Sequence, residues 1–343
     1  MMVNMVSLSG WSYEGQHGLG HWNKEYPDCG RQHQSPIDIP SNPTFNPSIF
    51  MNFNGFEKTK EFSLTLRNNG HTAVVKVDSP NHSVFVTGNQ LPGIIFKTMQ
   101  FHFHWGKDSS SGSEHLVKGQ SFPLEMHIVN YNYLAYESIQ DAMKHSDGLA
   151  VIAILFETTA EDNEDLKPLI EGLEKNSESS IDSLSLSKLL PKNTRCFYRY
   201  DGSLTTPGCF ESVTWTILSQ PQTISERQLN KFRALCDDHG NHLIKFNNRP
   251  TQGLHGRKYI RSATTLYNLL YNLKLSHKMS GTEVLIDDRI QLVSAIEIGP
   301  PSCRFKVLRR YLVQALRKKH PYLAANIDQV ILHQDSAPGH TSL

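Results

Sequence analysis

Gln100-Phe101-His102-Phe103-His104-Trp105-Gly106 is the stretch on which the reading of this chain turns. On an extended strand successive side chains point to opposite faces, so His102 and His104 project together while Phe101 and Phe103 face the other way. Such a strand has one face in a core and the other on a polar site. A second stretch, Leu124-Glu125-Met126-His127-Ile128-Val129, follows a loop rich in Gly and Ser. If the two strands lie side by side, His127 reaches the point where His102 and His104 converge. A His-x-His pair alone is more often two ordinary histidines. A third imidazole on a neighbouring strand turns the pair into a ligand set, and three neutral imidazoles suit zinc. Gln100 and Glu125 each stand two residues before a histidine on the same face, where they can orient the rings from behind.

Outward from these stretches the chain reads as short strands separated by Gly, Asn, Pro and Ser turns. Expected strands are Phe62–Leu66, Thr72–Val77, Ser83–Thr87, Ile94–Trp105, Leu124–Tyr131, Leu149–Phe156, Tyr198–Gly202 and Ser212–Leu218. Glu161–Ser187 is polar and reads as helix and loop, and residues 40–56 as an irregular loop packed by its own aromatics. The expectation is one β-dominated domain that closes near Arg261–Ser262.

Composition narrows the function. Among 343 residues the net charge is +1, which points to no nucleic-acid, membrane or acidic partner. Apolar runs of 18 residues are lacking, so a membrane-spanning helix is not expected. The opening MMVNMVSLSG has neither a charged start nor a long apolar stretch and does not read as a signal peptide. Five cysteines (29, 196, 209, 236 and 303) leave at least one unpaired. Asn81-His82-Ser83 matches the N-glycosylation sequon.

Over residues 10–264 the chain resembles the alpha-class carbonic anhydrases. The resemblance is carried by Trp11-Ser12-Tyr13, Gln34-Ser35-Pro36-Ile37-Asp38, Asn68-Asn69-Gly70-His71, Gln100–Gly106, Gly112-Ser113-Glu114-His115, Glu125–Val129, Gly202-Ser203-Leu204-Thr205-Thr206-Pro207 and Asn247-Asn248-Arg249-Pro250. It implies a mostly β (α+β) fold, a large, mostly antiparallel twisted central sheet with short peripheral helices and zinc at the base of a conical cleft. A carbonic anhydrase is itself the type case of a three-His catalytic zinc site with an open fourth position. The implied activity is reversible hydration of CO2 to bicarbonate and a proton by zinc-hydroxide attack, a lyase reaction with a small-molecule substrate.

The same resemblance implies roles. His102, His104 and His127 bind Zn2+. Thr205 accepts a hydrogen bond from the hydroxide and passes its own proton to Glu114. His71 shuttles protons to buffer, with Tyr13 and Asn69 holding waters along that route. Val129, Val151, Leu204 and Trp215 form the apolar pocket for CO2, and Thr206 contacts bicarbonate. A catalytically weak binding module of the same fold is the alternative, which loss of a zinc ligand, Glu114 or Thr205 would signal. Three positions depart from the family pattern: Val74 stands where a polar residue is common, Gly208 replaces a second proline, and Asn130 replaces a histidine. Cys29 and Cys209 match the disulfide of the extracellular branch, which implies a secreted or extracellular protein, with the cytoplasm as the alternative.

The tail has a different grammar. Arg304–Lys319 carries apolar residues at 305, 308, 312 and 316 with basic residues between, a helical spacing. Val330-Ile331-Leu332-His333-Gln334-Asp335-Ser336-Ala337-Pro338-Gly339-His340-Thr341-Ser342 is similar to the catalytic segment of mariner-type transposases. Only one acid of that segment, Asp335, is present, and transposition needs several carboxylates around paired metal ions. Residues 265–343 are therefore expected to be an appended tail, with 304–343 a non-functional fragment that binds no nucleic acid.

Overall fold

Leu124–Asn132 is buried at every position and Leu149–Thr159 at its first eight, the pattern of strands covered on both faces. They form the middle of a computed structural model that describes residues 10–46, 48–174, 178–181, 184–237 and 242–262. The tail at 265–343, including the transposase-like stretch, lies outside the described residues.

Seven strands carry the argument: β1 (Ser63–Asn68), β2 (Ala73–Asp78), β3 (Phe96–Trp105), β4 (Leu124–Asn132), β5 (Leu149–Thr159), β6 (Phe197–Gly202) and β7 (Val213–Leu218). In space they run β1-β2-β3-β4-β5-β7-β6 within a 13-stranded mixed sheet of the described residues. Neighbours are antiparallel throughout except β5 and β7, which are parallel. Ser179–Ser180 extends the sheet beyond β1, and Tyr259–Arg261 followed by Thr44–Phe45 extends it beyond β6. The mostly antiparallel twisted sheet expected from the sequence is thus present, and the two histidine strands β3 and β4 are neighbours in it.

Each face of this sheet buries its own cluster. Phe101, Phe103, Trp105, Met126, Ile128 and Ile152 belong to the larger one. Against it packs α1 (Glu226–Arg233), whose Phe232 ring lies 4.8 Å from Phe103 and 5.7 Å from Trp105. The helix begins with a capping box in which Ser225 and Gln228 satisfy each other's backbone groups. The opposite face holds Val129, Val151, Ala153, Trp215, Ile217, Tyr198 and Tyr200.

Residues 40–56 correct the sequence reading. Thr44–Phe45 and Met51–Asn54 are short strands, the latter paired antiparallel with Phe85–Gly88. The aromatics pack this segment only in part: Phe53 and Phe56 turn inward with their rings 5.3 Å apart, whereas Phe45 and Phe50 are 42% and 50% exposed. Strands of two and four residues are too short to show an alternation.

Candidate metal centre

One irregularity of the sheet makes the centre. At the start of β3, Lys97 pairs with Tyr131 and Thr98 with Asn130, yet Gln100 pairs with Val129: a β-bulge adds one residue at Met99. Without it His102 would stand opposite Met126, whose side chain enters the larger core. With it His102 stands opposite His127. The buried pair Thr98–Asn130 sits where the register shifts. Thr98 Oγ1 donates to Asn130 Oδ1 at 2.6 Å, and Asn130 Nδ2 donates to the carbonyls of Ile128 and Ala150.

The three imidazoles meet as the parity argument requires. Ring centroids are 5.1 Å apart for His102 and His104, 5.2 Å for His102 and His127, and 4.5 Å for His104 and His127. Their ligand atoms all lie within 4.8 Å of one another. Each ring has one nitrogen occupied from outside. His102 Nδ1 meets Gln100 Oε1 at 2.9 Å, His104 Nδ1 meets the Asn247 carbonyl at 2.7 Å, and His127 Nε2 meets Glu125 Oε1 at 2.7 Å. That leaves Nε2, Nε2 and Nδ1 for a common partner. His104 Nε2 is buried with no hydrogen-bond partner among the described residues, an orphan that a metal ion would satisfy. Burial holds His102 well below the usual imidazole pKa and His127 down to about 4, so both rings are neutral and keep a lone pair. The donor set and its protonation fit zinc.

Behind the ligands lies a buried polar chain. Glu125 Oε2 accepts the backbone N–H groups of Glu114 and His115, and Oε1 also faces His115 Nδ1 at 2.6 Å. Burial alone would raise the Glu125 pKa, but the adjacent His115 and His127 outweigh it and hold the group ionised. The Tyr200 hydroxyl then links His115 Nε2 to Ser35 Oγ. Gly202 is required here, since a Cβ would fall 2.2 Å from Ser35 Oγ. His115 and Asn247 carry contacts at the centre that the sequence reading did not assign. A backbone carbonyl acting 143 residues away leaves no sequence signal.

The other expected site residues fall into three groups. Glu114 is buried beside the ligands, Oε1 lying 3.5 Å from His104 Nδ1 and Oε2 3.9 Å from His127 Nδ1. Burial raises its pKa, while His104, the Arg249 N–H and the Thr205 hydroxyl draw it down. Its Oε2 closes no hydrogen bond among the described residues. Val129, Val151 and Trp215 form one row across β4, β5 and β7, directly paired in register. Leu204 packs against the same cluster, and Trp215 Nε1 donates to the Ser203 carbonyl. The Thr206 carbonyl accepts from Cys209 N in the adjoining turn.

The third group lies toward the amino-terminal segment. The His71 ring stacks on Trp11 at 3.9 Å and 12°. Asn69 Oδ1 caps the turn by accepting from His71 N and Thr72 N. Tyr13 packs edge-on against Trp11, and its pKa is raised by burial and then by Glu114. Val74 is the direct register partner of His102, so the apolar departure adjoins the centre. Gly208 has φ +99, which proline cannot adopt.

Cys29 and Cys209 form a disulfide that closes 180 residues. Arg249 braces it by donating to the carbonyls of Cys29 and Ser35 and to Gln34 Oε1, while its backbone N–H donates to Glu114 Oε1. A large sheet carrying three converging imidazoles beside an apolar row is a distinctive arrangement, and comparison with known proteins places it in a class. The family model for eukaryotic-type carbonic anhydrase matches residues 17–263. Carbonic anhydrase 7 of Homo sapiens is 38% identical over 262 residues, covering 74% of this chain and 97% of its own length. Carbonic anhydrase 6 of Mus musculus is 37% identical over 272 residues, covering 73% and 83%. Receptor-type tyrosine-protein phosphatase zeta of Homo sapiens is 36% identical over 236 residues, 66% of this chain but 10% of that protein. The chain belongs to the eukaryotic-type carbonic anhydrase family.

Proposed function

We propose that the chain is a zinc enzyme that converts CO2 and water reversibly into bicarbonate and a proton. The observation that carries this is the set of three converging imidazoles, two buried and His102 half-buried, each with its outer nitrogen held and its inner nitrogen left for a metal. Bound zinc supplies a water whose pKa falls to about 7, a value characteristic of carbonic anhydrases. Everything else falls to the protein. Thr205 gives its proton to Glu114 and thereby presents its oxygen as an acceptor, which fixes the lone pair that the nucleophile turns toward substrate. Val129, Val151, Leu204 and Trp215 exclude water from the position that a linear apolar molecule would take, and Thr206 holds the product. His71 carries the proton outward past waters held by Tyr13 and Asn69; an imidazole can relay a proton in either direction.

We further assign the catalytic domain to residues 10–264 and the compartment to the secretory route, since a bond such as Cys29–Cys209 persists in oxidising surroundings. Among the described residues, no helix is long and apolar enough to cross a membrane. The tail 265–343 is read as dispensable, and 304–343 as a transposase-like remnant. The test is zinc content and CO2 hydration of the full chain beside its His102→Ala, His104→Ala and His127→Ala variants. The parent should hold one zinc, hydrate CO2 and be inhibited by a primary sulfonamide. Full activity in any metal-saturated single variant overturns the proposal. Removing residues 265–343 should change neither readout; a truncated chain that fails to fold would show the tail to be integral.

A further inference from the structure

The Asn81-His82-Ser83 triplet lies outside everything the catalytic reading uses, and the structure gives it a definite setting. Asn-Pro-Thr at 42–44 and Asn-Pro-Ser at 46–48 also place a hydroxyl two residues after Asn, but their central proline disqualifies them. Asn81 is thus the one N-linked acceptor in the 343 residues. It occupies the corner of the turn after β2: Pro80 fixes the first corner, His82 N donates to the Ser79 carbonyl at 3.1 Å, and His82 turns left-handed at φ 51. The Asn81 side chain is exposed, and no other described residue holds its carboxamide.

The neighbourhood supplies a reason for covering this corner. The His82 ring rests on Tyr133 at 4.5 Å. Tyr133 N donates to the Ile95 carbonyl, and Leu134 and Ile94 are the next residues along the two segments this bond joins. Leu134 is 59% exposed and Ile94 74%, the two most exposed large hydrophobics among the described residues. Large exposed apolar side chains on segments that adjoin one corner ask for an explanation. Asn81 also follows the end of β2 away from the centre. Val74, near its start, pairs with His102, and four residues of strand, about 13 Å, separate Val74 from Asp78.

We propose that Asn81 is a site of N-linked glycosylation and that the oligosaccharide covers the apolar side chains of Ile94, Tyr133 and Leu134 without touching the metal centre. The inference rests on the secretory reading drawn from the Cys29–Cys209 bond. In the transfer, Asn81 Nδ2 forms a bond to the anomeric carbon of an oligosaccharide carried on a lipid diphosphate. The bond from that carbon to the diphosphate oxygen breaks, the lipid diphosphate leaves with the electron pair, and an amide proton goes to the transferase. The glycan is bulky and solvating, which suits a tip with apolar surface beside it.

The full chain, directed into the secretory route of a eukaryotic cell by a cleavable leader, decides the matter. The parent and Ser83→Thr should show a one-glycan mobility shift that an endoglycosidase removes, and Asn81→Gln and Ser83→Ala should lack it. Enzymatic removal of the glycan from folded protein should raise binding of an apolar dye and leave zinc content unchanged. A secreted parent whose Asn81 peptide is unmodified by mass spectrometry overturns the inference, whatever the state of its thiols. A glycosylated parent with free Cys29 and Cys209 upholds it and counts against the disulfide argument for the compartment. Unchanged dye binding after deglycosylation overturns the covering role.

Discussion

Replacing Glu125 by Gln removes one charge and keeps the shape, yet it should weaken the hold on the metal. The carboxylate accepts four hydrogen bonds: two from backbone N–H groups at 2.8 Å and one each from His115 Nδ1 and His127 Nε2 at 2.6 and 2.7 Å. Because an ionised carboxylate only accepts, both rings must place a proton on the nitrogen facing it, and His127 keeps its lone pair on Nδ1. A carboxamide cannot serve both sides. With its oxygen toward the backbone N–H groups, its NH2 meets the two rings, so His127 must move its proton to Nδ1, the atom aimed at the metal position. Turned the other way, the NH2 meets two N–H donors. A hydrogen bond to a charged group contributes about 1.5–3 kcal/mol, which at about 1.4 kcal/mol per tenfold is roughly 10- to 150-fold in an equilibrium constant. Loss of an outer partner of a ligating histidine typically costs about 10- to 100-fold in affinity. Zinc affinity, measured by competition with a chromophoric chelator, should therefore fall by about 10- to 100-fold in Glu125→Gln. Parent-like affinity in a folded variant would refute the claim that this carboxylate sets the His127 tautomer.

Three further outcomes are expected. His71→Ala should slow net CO2 hydration in weak buffer while leaving isotope exchange between CO2 and bicarbonate unchanged, with added imidazole restoring the rate; parent turnover at low buffer would remove His71 from the proton route. Replacing both Cys29 and Cys209 by Ser should lower unfolding stability by up to about 5 kcal/mol for a loop of 180 residues, measured by reversible denaturation, and a negligible loss would mean that the bond does little to restrict the unfolded chain. Thr98→Val leaves the buried Asn130 Oδ1 without its donor and should cost about 1–3 kcal/mol of stability, which Thr98→Ser largely restores; a Val variant as stable as the parent would show that the pair does not hold the bulge.

Much of the centre was legible because strand parity is a local property. His102, His104, Gln100, Glu125 and His127 all fall on the predicted face, and Phe101 and Phe103 on the other. The bulge at Met99 was not legible, since a single inserted residue leaves the hydrophobic pattern on either side intact. Nor was the Asn247 carbonyl behind His104, because any residue carries a carbonyl. The brace from Arg249 to Gln34 and Cys29 joins motifs more than 200 residues apart, so only the fold reveals it. The start of α1 was readable in principle, since Ser225 and Gln228 stand at capping-box spacing just before Leu229 and Phe232. Its eight residues offered too few turns for periodicity to speak.

The same register ties the metal centre to the pocket. Gln100, Val129, Val151, Trp215 and Tyr200 pair in succession across β3, β4, β5, β7 and β6. Two residues along each strand, His102, His127, Ala153, Ile217 and Tyr198 form the next row of the same face. The rows are about 6–7 Å apart along the strands. The proposed metal ligands and the apolar lining are thus adjacent lines of one surface, and neither can shift along a shared strand without the other. A slip of one residue in β3 would turn Phe101 and Phe103 toward the centre and bury two imidazoles in the larger core. The cost of burying those polar rings and exposing those aromatics selects the register, and the buried Thr98–Asn130 pair sits where that selection is made. The apolar half of the protein therefore holds the ligand geometry in place.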